Sequence, residues 1–173
     1  MVCEKPADEP QKRLAARLRR NAARREPLPA ISSKLRMLVY LSAAIFLIVG
    51  ISGAVAALGD TLFKADSLAE GMRQDFDPSA HPFVRLRVLH PFLAVAAAGC
   101  LIALGLAFLD ERRYGVTIPR LAYALIGATV LQILIGAMNL LMLAPVWLQI
   151  THLLTADLLW ILLILLAADA LGW

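Results

Sequence analysis

The sequence predicts an all-α membrane protein, an up-down bundle of four transmembrane helices with one longer outer loop. Three observations lead there. Apolar residues make up 60% of the chain and the mean hydropathy is +0.72, against an apolar share of ~45–50% in soluble domains. Four apolar runs reach the ~20 residues that a helix needs to cross ~30 Å of hydrocarbon. Basic residues are concentrated at one end, with ten of the seventeen Lys and Arg in residues 1–36.

Taken in order, residues 1–36 form a basic tail, and the domain that follows occupies 37–173, with spans at about 37–58, 84–109, 120–143 and 146–171. Residues 59–82 make the long loop, whose middle, SLAEGMRQDF, has the pattern of a short interfacial helix. The connection DERRYGVTIPR is short and basic, and Ala144 with Pro145 leaves room only for a tight hairpin. No internal repeat or low-complexity stretch stands out.

Charge sets the expected orientation. The tail carries ten basic residues and the 110–120 connection three, whereas the long loop holds Lys64 and Arg73 against Asp60, Asp66, Glu70, Asp75 and Asp77. The positive-inside rule then puts both termini and the 110–120 connection in the cytoplasm, in a multi-pass protein of the cell (inner) membrane. The run KRLAARLRRNAARR is read as a membrane-surface anchor, not a nucleic-acid arm, because a membrane helix follows directly. Both the basic segment and the apolar run are too long for a cleaved signal peptide. The expected partner of this segment is membrane lipid, with no nucleic acid.

Cys3 and Cys100 fall at different depths, so no disulfide is expected, and no CxxC metal spacing exists. Cys100 reads as a small core residue. Gly50, Gly53, Gly127 and Gly136 sit where small residues let helices approach in lipid, or make room for a flat ligand.

Two histidines carry the functional reading. His90 lies about seven residues into the second span and His152 about six into the fourth, and both spans run in the same direction. At ~1.5 Å per residue both imidazoles sit ~10 Å below the outer surface. Two imidazoles at one level on parallel helices can clasp a planar macrocycle and ligate its iron on both faces. Arg87 stands one turn before His90, with Arg85 above it, and guanidinium groups suit the anionic propionates of a haem. Gln149 precedes His152 by three residues, and Asn139 adds a polar group near the outer end of the third span. The candidate cofactor site is therefore His90, His152, Arg87, Arg85, Gln149 and Asn139, with His90 and His152 as metal ligands. Another metal, a proton route, or structural hydrogen bonding are the competing readings. Zinc would want more ligands than this level supplies, and His81 reads as an ordinary surface residue.

Asp157 falls near the bilayer centre, where a bare carboxylate costs several kcal/mol. Gln132 is at similar depth and is the expected partner. Five residues beyond His152 is ~500° of helix rotation, so Asp157 points away from the ligand face. Pro91 frees the carbonyl of Arg87 and can bend the second span beside His90.

The stretches GISGAVAALGDTLF, LRVLHPFLA, LQILIGAMNLLMLAP and LQITHLLTADLLW, in that order, resemble the haem A synthase family across about residues 37–171. The resemblance implies eight-helix relatives made of two similar four-helix halves, each with a histidine pair. One half oxidises a methyl group of haem O to the formyl of haem A, and the other holds a haem b between two histidines. By residue, His90 and His152 are the implied axial pair. The substrate half has an acid three positions before its first histidine, where this chain has Arg87, and often a cysteine pair in its outer loop, where this chain has none. The chain thus looks like the haem b half, with no catalytic acid of its own, and would act as a homodimer or with a second four-helix half. The expected function is participation in haem O oxidation to haem A for cytochrome oxidase biogenesis. The alternatives are a bis-histidine membrane cytochrome acting only in electron transfer, and a cofactor-free respiratory assembly protein.

Overall fold

The structure, a computed structural model, describes residue 12, residues 31–110 and residues 116–172. Most of the basic tail, Cys3 and the middle of the 110–120 connection lie outside the described residues. Six helices follow in order among the described residues: α1 (Ser33–Leu62), α2 (Leu68–Phe76), α3 (Pro82–Arg87), α4 (Leu89–Asp110), α5 (Thr117–Leu141) and α6 (Val146–Leu171). Four segments are long and apolar enough to cross a membrane: Ser33–Leu62, Pro82–Asp110, Thr117–Leu141 and Val146–Leu171. The protein is an integral membrane protein with the expected four-helix architecture.

α1 begins four residues before the apolar run. Ser32 caps it, its hydroxyl accepting from the Leu35 amide at 3.2 Å, which satisfies one of the orphan N–H groups of the first turn. Residues 33–36 therefore belong to the first helix and not to the tail. Leu35 in this extension is 5% exposed and Val39, one turn further on, 2%, so the added turn is packed.

In the long loop, Ser67 caps α2 by accepting from the Glu70 amide at 3.2 Å, while Glu70 accepts two bonds from Arg73. The Ser-x-x-Glu spacing is that of a capping box, which explains why so short a polar segment is helical. His81 is the N-cap of α3, its Nδ1 accepting from the Phe83 amide, with Pro82 at the first helical position. The α3–α4 break falls at Val88. Pro91 has no N–H to offer the Arg87 carbonyl, so the second span divides there.

α5 and α6 are joined by a hairpin in which Leu143 (φ 58°) and Ala144 (φ 52°) are both left-handed. The Ala144 amide donates to the Asn139 carbonyl at 2.8 Å, and the Gln149 side chain donates to the Ala144 carbonyl at 2.6 Å. Two non-glycine residues in this region cost about 1–2 kcal/mol each, a strain held by these bonds.

α1 packs on α4, α4 on α5, and α5 on α6, while α6 meets α1 more narrowly. Phe46 and Trp160 stack across that last contact with centroids 5.7 Å apart. The buried apolar core, including Leu35, Leu104, Phe108, Leu125, Leu163 and Leu166, lies toward the end opposite α2. The end that carries α2, here the loop end, has few buried apolar residues and holds the buried Arg87 and both histidines of the spans.

Candidate histidine site

His90 is the second residue of α4 and His152 the seventh of α6. The two helices stand diagonally in the bundle. Their rings nevertheless face one interior space at the loop end, with centroids 6.5 Å apart and planes at 85°. Each ring rests its Cε1 edge on a glycine of another helix. A Cβ at Gly53 would lie 3.0 Å from His90 Cε1, and one at Gly136 would lie 3.1 Å from His152 Cε1. Gly50 and Gly127, which the sequence offered equally, face open space. The close helix contact belongs instead to Gly105, where a Cβ would stand 2.6 Å from Ile126 Cγ1.

The polar partners of the two rings differ. His90 Nδ1 lies 3.0 Å from Ser52 Oγ, and that hydroxyl donates to the Val49 carbonyl at 2.9 Å. His152 Nε2 lies 3.4 Å from the Gln132 amide nitrogen, which also donates to the His152 carbonyl at 3.0 Å. Thr155 in turn donates to Gln132 Oε1. His152 Nδ1 and Asn139 Oδ1 are buried without a hydrogen-bond partner.

The remaining residues of the predicted site are not all at the pair. Arg87 is 9% exposed and its guanidinium is surrounded. Its Nε donates to Asp75, Nη1 to Asp60 (3.1 Å) and the Phe63 carbonyl (3.4 Å), and Nη2 to the Gly71 carbonyl (3.2 Å) and Gln74 (3.5 Å). It ties α2 to the ends of α1 and α3, one turn from His90. Arg85 is exposed and takes no part in the ion pairs among the described residues. Gln149 caps the hairpin. Asp157 is exposed on the outer face of α6, and Gln132, expected as its partner, serves His152 and Thr155.

Ser52, Gln132 and Thr155 were the participants that sequence reading did not assign to the pair. Ser52 next to Gly53 in GISGA was the available signal for the first. Outside the spans, Glu70 and Asp77 are both held below the usual carboxylate range, Glu70 by the Arg73 guanidinium and Asp77 by the Ser79 hydroxyl. A pocket of about 370 Å³ lined by Phe63, Gln74, His81 and Val84 includes neither ring of the pair.

Among the described residues no three His, Cys, Asp or Glu side chains gather as a metal cluster. Two facing imidazoles are a donor set for a metal whose other ligands come with it, as the iron of a porphyrin does. The fold is that of a multi-pass membrane protein that brings two imidazoles together inside its helical bundle. The chain belongs to the family described as cytochrome oxidase assembly protein (COX15-CtaA), which it matches over residues 12–164.

Two relatives, from two strains of Thermus thermophilus, are each named Protoheme IX farnesyltransferase and are 41% identical over 133 residues. The match takes in 77% of this chain and 22% of each relative, so the chain spans about a fifth of their length. No solved structure matches the chain.

Proposed function

We propose that this chain is a haem-binding membrane protein of the haem A synthase type, taking part in the oxidation of haem O to haem A for cytochrome oxidase. The observation that carries this reading is the 6.5 Å separation of the His90 and His152 ring centroids. An imidazole nitrogen sits about 2 Å from a bound metal and about 1.2 Å from its ring centroid, so one iron between two imidazoles would set the centroids about 6.4 Å apart. The family match supports a role in cytochrome oxidase assembly, and the relatives' name points to haem, through farnesyl transfer and not oxidation.

Within this reading His90 and His152 hold the iron of a haem b. The haem, when bound, supplies one-electron redox chemistry. The chain's residues orient the two imidazoles, exclude water through the apolar core beneath them, and present the exposed Arg85 to an anionic side group. Arg87 acts through structure, holding α2 over the end of the bundle. The charge distribution favours cytoplasmic termini, and a homodimer or a second four-helix half would supply the acid that the position of Arg87 lacks.

An absorption spectrum of the purified chain tests the reading. A low-spin bis-imidazole haem spectrum is expected, lost in His90→Ala and in His152→Ala. A colourless wild type, or alanine variants that keep the spectrum, would sink it. Haem analysis of cells that make haem O then separates the reading from plain electron transfer. Haem A that depends on this chain is the expected product, and its formation without the chain would leave only an electron carrier.

A further inference from the structure

The two imidazoles are held in unequal ways, and the inequality follows from counting hydrogens. A serine hydroxyl has one hydrogen to donate. That of Ser52 is committed to the Val49 carbonyl three residues back, at 2.9 Å, the local bond that serines in helices commonly make. With the hydroxyl hydrogen on Val49, the 3.0 Å contact between Ser52 Oγ and His90 Nδ1 is assigned as running from Nδ1–H to Oγ. A neutral imidazole carries one N–H, so Nε2 of His90 is left with a bare lone pair. Gly53, adjacent to Ser52, sets the ring edge, so two consecutive residues of α1 fix both the tautomer and the tilt of His90.

His152 has no counterpart to Ser52. Its Nδ1 is buried and unpartnered, and its Nε2 lies beside a donor, the Gln132 amide, at 3.4 Å. Gln132 also holds the His152 backbone carbonyl, so it can release the ring nitrogen and keep a bond.

We propose that Ser52 is the positioning residue of His90: it fixes the Nδ1–H tautomer and presents Nε2 as the preformed, stronger ligand, while His152 is the ligand that must exchange a protein contact for the metal. This rests on the haem reading above. Metal-bound histidines generally donate their second N–H to such a partner, and loss of that partner typically lowers metal affinity about 10–100-fold.

The test uses the full chain with ¹⁵N-labelled histidine, haem-free and after titration with haem b, as wild type, Ser52→Ala and Ser52→Thr. The wild type is expected to show His90 as the Nδ1–H tautomer before haem is added. Ser52→Ala should lose that preference and release haem about 10–100-fold more readily while keeping a bis-imidazole spectrum. Ser52→Thr should restore both properties. An Nε2–H tautomer at His90 in the wild type, or a Ser52→Ala variant unchanged in tautomer and haem release, would overturn the role of Ser52 alone. A wild type that binds no haem would overturn the reading of the site and this role with it, whereas the tautomer measurement is made without haem and tells the two failures apart.

Discussion

Gly136 lies directly against His152, so that a Cβ on this glycine would come 3.1 Å from the imidazole Cε1. Gly53 stands in the same relation to His90 at 3.0 Å. Alanine at either position forces its ring to shift by a few tenths of an ångström. The expected destabilisation is about 1 kcal/mol, at the low end of overpacking costs. Leucine would displace the ring and abolish the low-spin spectrum. Gly50→Ala and Gly127→Ala meet nothing within 4 Å and should leave the spectrum unchanged, with helix stability higher by up to about 1 kcal/mol. Absorption spectra and thermal midpoints of the four alanine variants check this, and a spectral loss in Gly127→Ala would contradict it.

Arg87→Ala leaves Asp75 and Asp60 without their cation and the Gly71 carbonyl without its donor. The expected loss is about 2–3 kcal/mol, below the ~3–5 of a fully buried broken pair because Asp60 is 32% exposed. The effect should fall first on α2, which Arg87 holds at Gly71, Gln74 and Asp75. Faster hydrogen exchange or proteolysis within 64–80 would show it. Lysine cannot reproduce the forked contacts and should rescue little.

Acid should loosen the same segment. The folded-state pKa of Glu70 is lowered chiefly by the Arg73 hydrogen bonds, and that of Asp77 by the Ser79 hydroxyl. A carboxylate with a depressed pKa contributes stability above its unfolded pKa and loses it as pH falls through the folded value. Protection of 67–80 should therefore hold from neutral pH to the usual carboxylate range and decline below it. Glu70→Gln should be less protected at neutral pH and respond less to acid, as exchange measured between pH 7 and pH 3 would reveal.

Ala144→Gly should stabilise the protein. Ala144 has a φ of 52°, a region that glycine enters without the Cβ penalty. The gain is about 1 kcal/mol, less the entropy that glycine adds to the unfolded chain. A thermal midpoint that does not rise would show that the bonds at the Ala144 amide and carbonyl already relieve the strain.

The spans, α2, the tight hairpin and the histidine pair were legible in the sequence because each is local or a matter of depth. A turn count places His90 and His152 at one level whatever surrounds them. Helix rotation was harder to read. In a bilayer the lipid-facing side is as apolar as the packed side, so the pattern did not show that Gly53 faces inward while Gly50 faces out. Nor did it separate Gln132 from Asp157, or show that Gln149 turns to the hairpin. The partners of Arg87 come from the folded loop, at separations of 12 to 27 residues, beyond the reach of any periodicity.

His90 on α4 is served by Ser52 and Gly53 of α1, and His152 on α6 by Gln132 and Gly136 of α5. The protein is in this sense two helix pairs, each arriving with one imidazole already seated. Neither pair contains the site, which comes into being only when the pairs join along the α4–α5 seam. At that seam Gly105 admits Ile126 so closely that a methyl group would collide with it. A bulky residue at position 105 would therefore oppose the docking of the halves without touching either histidine.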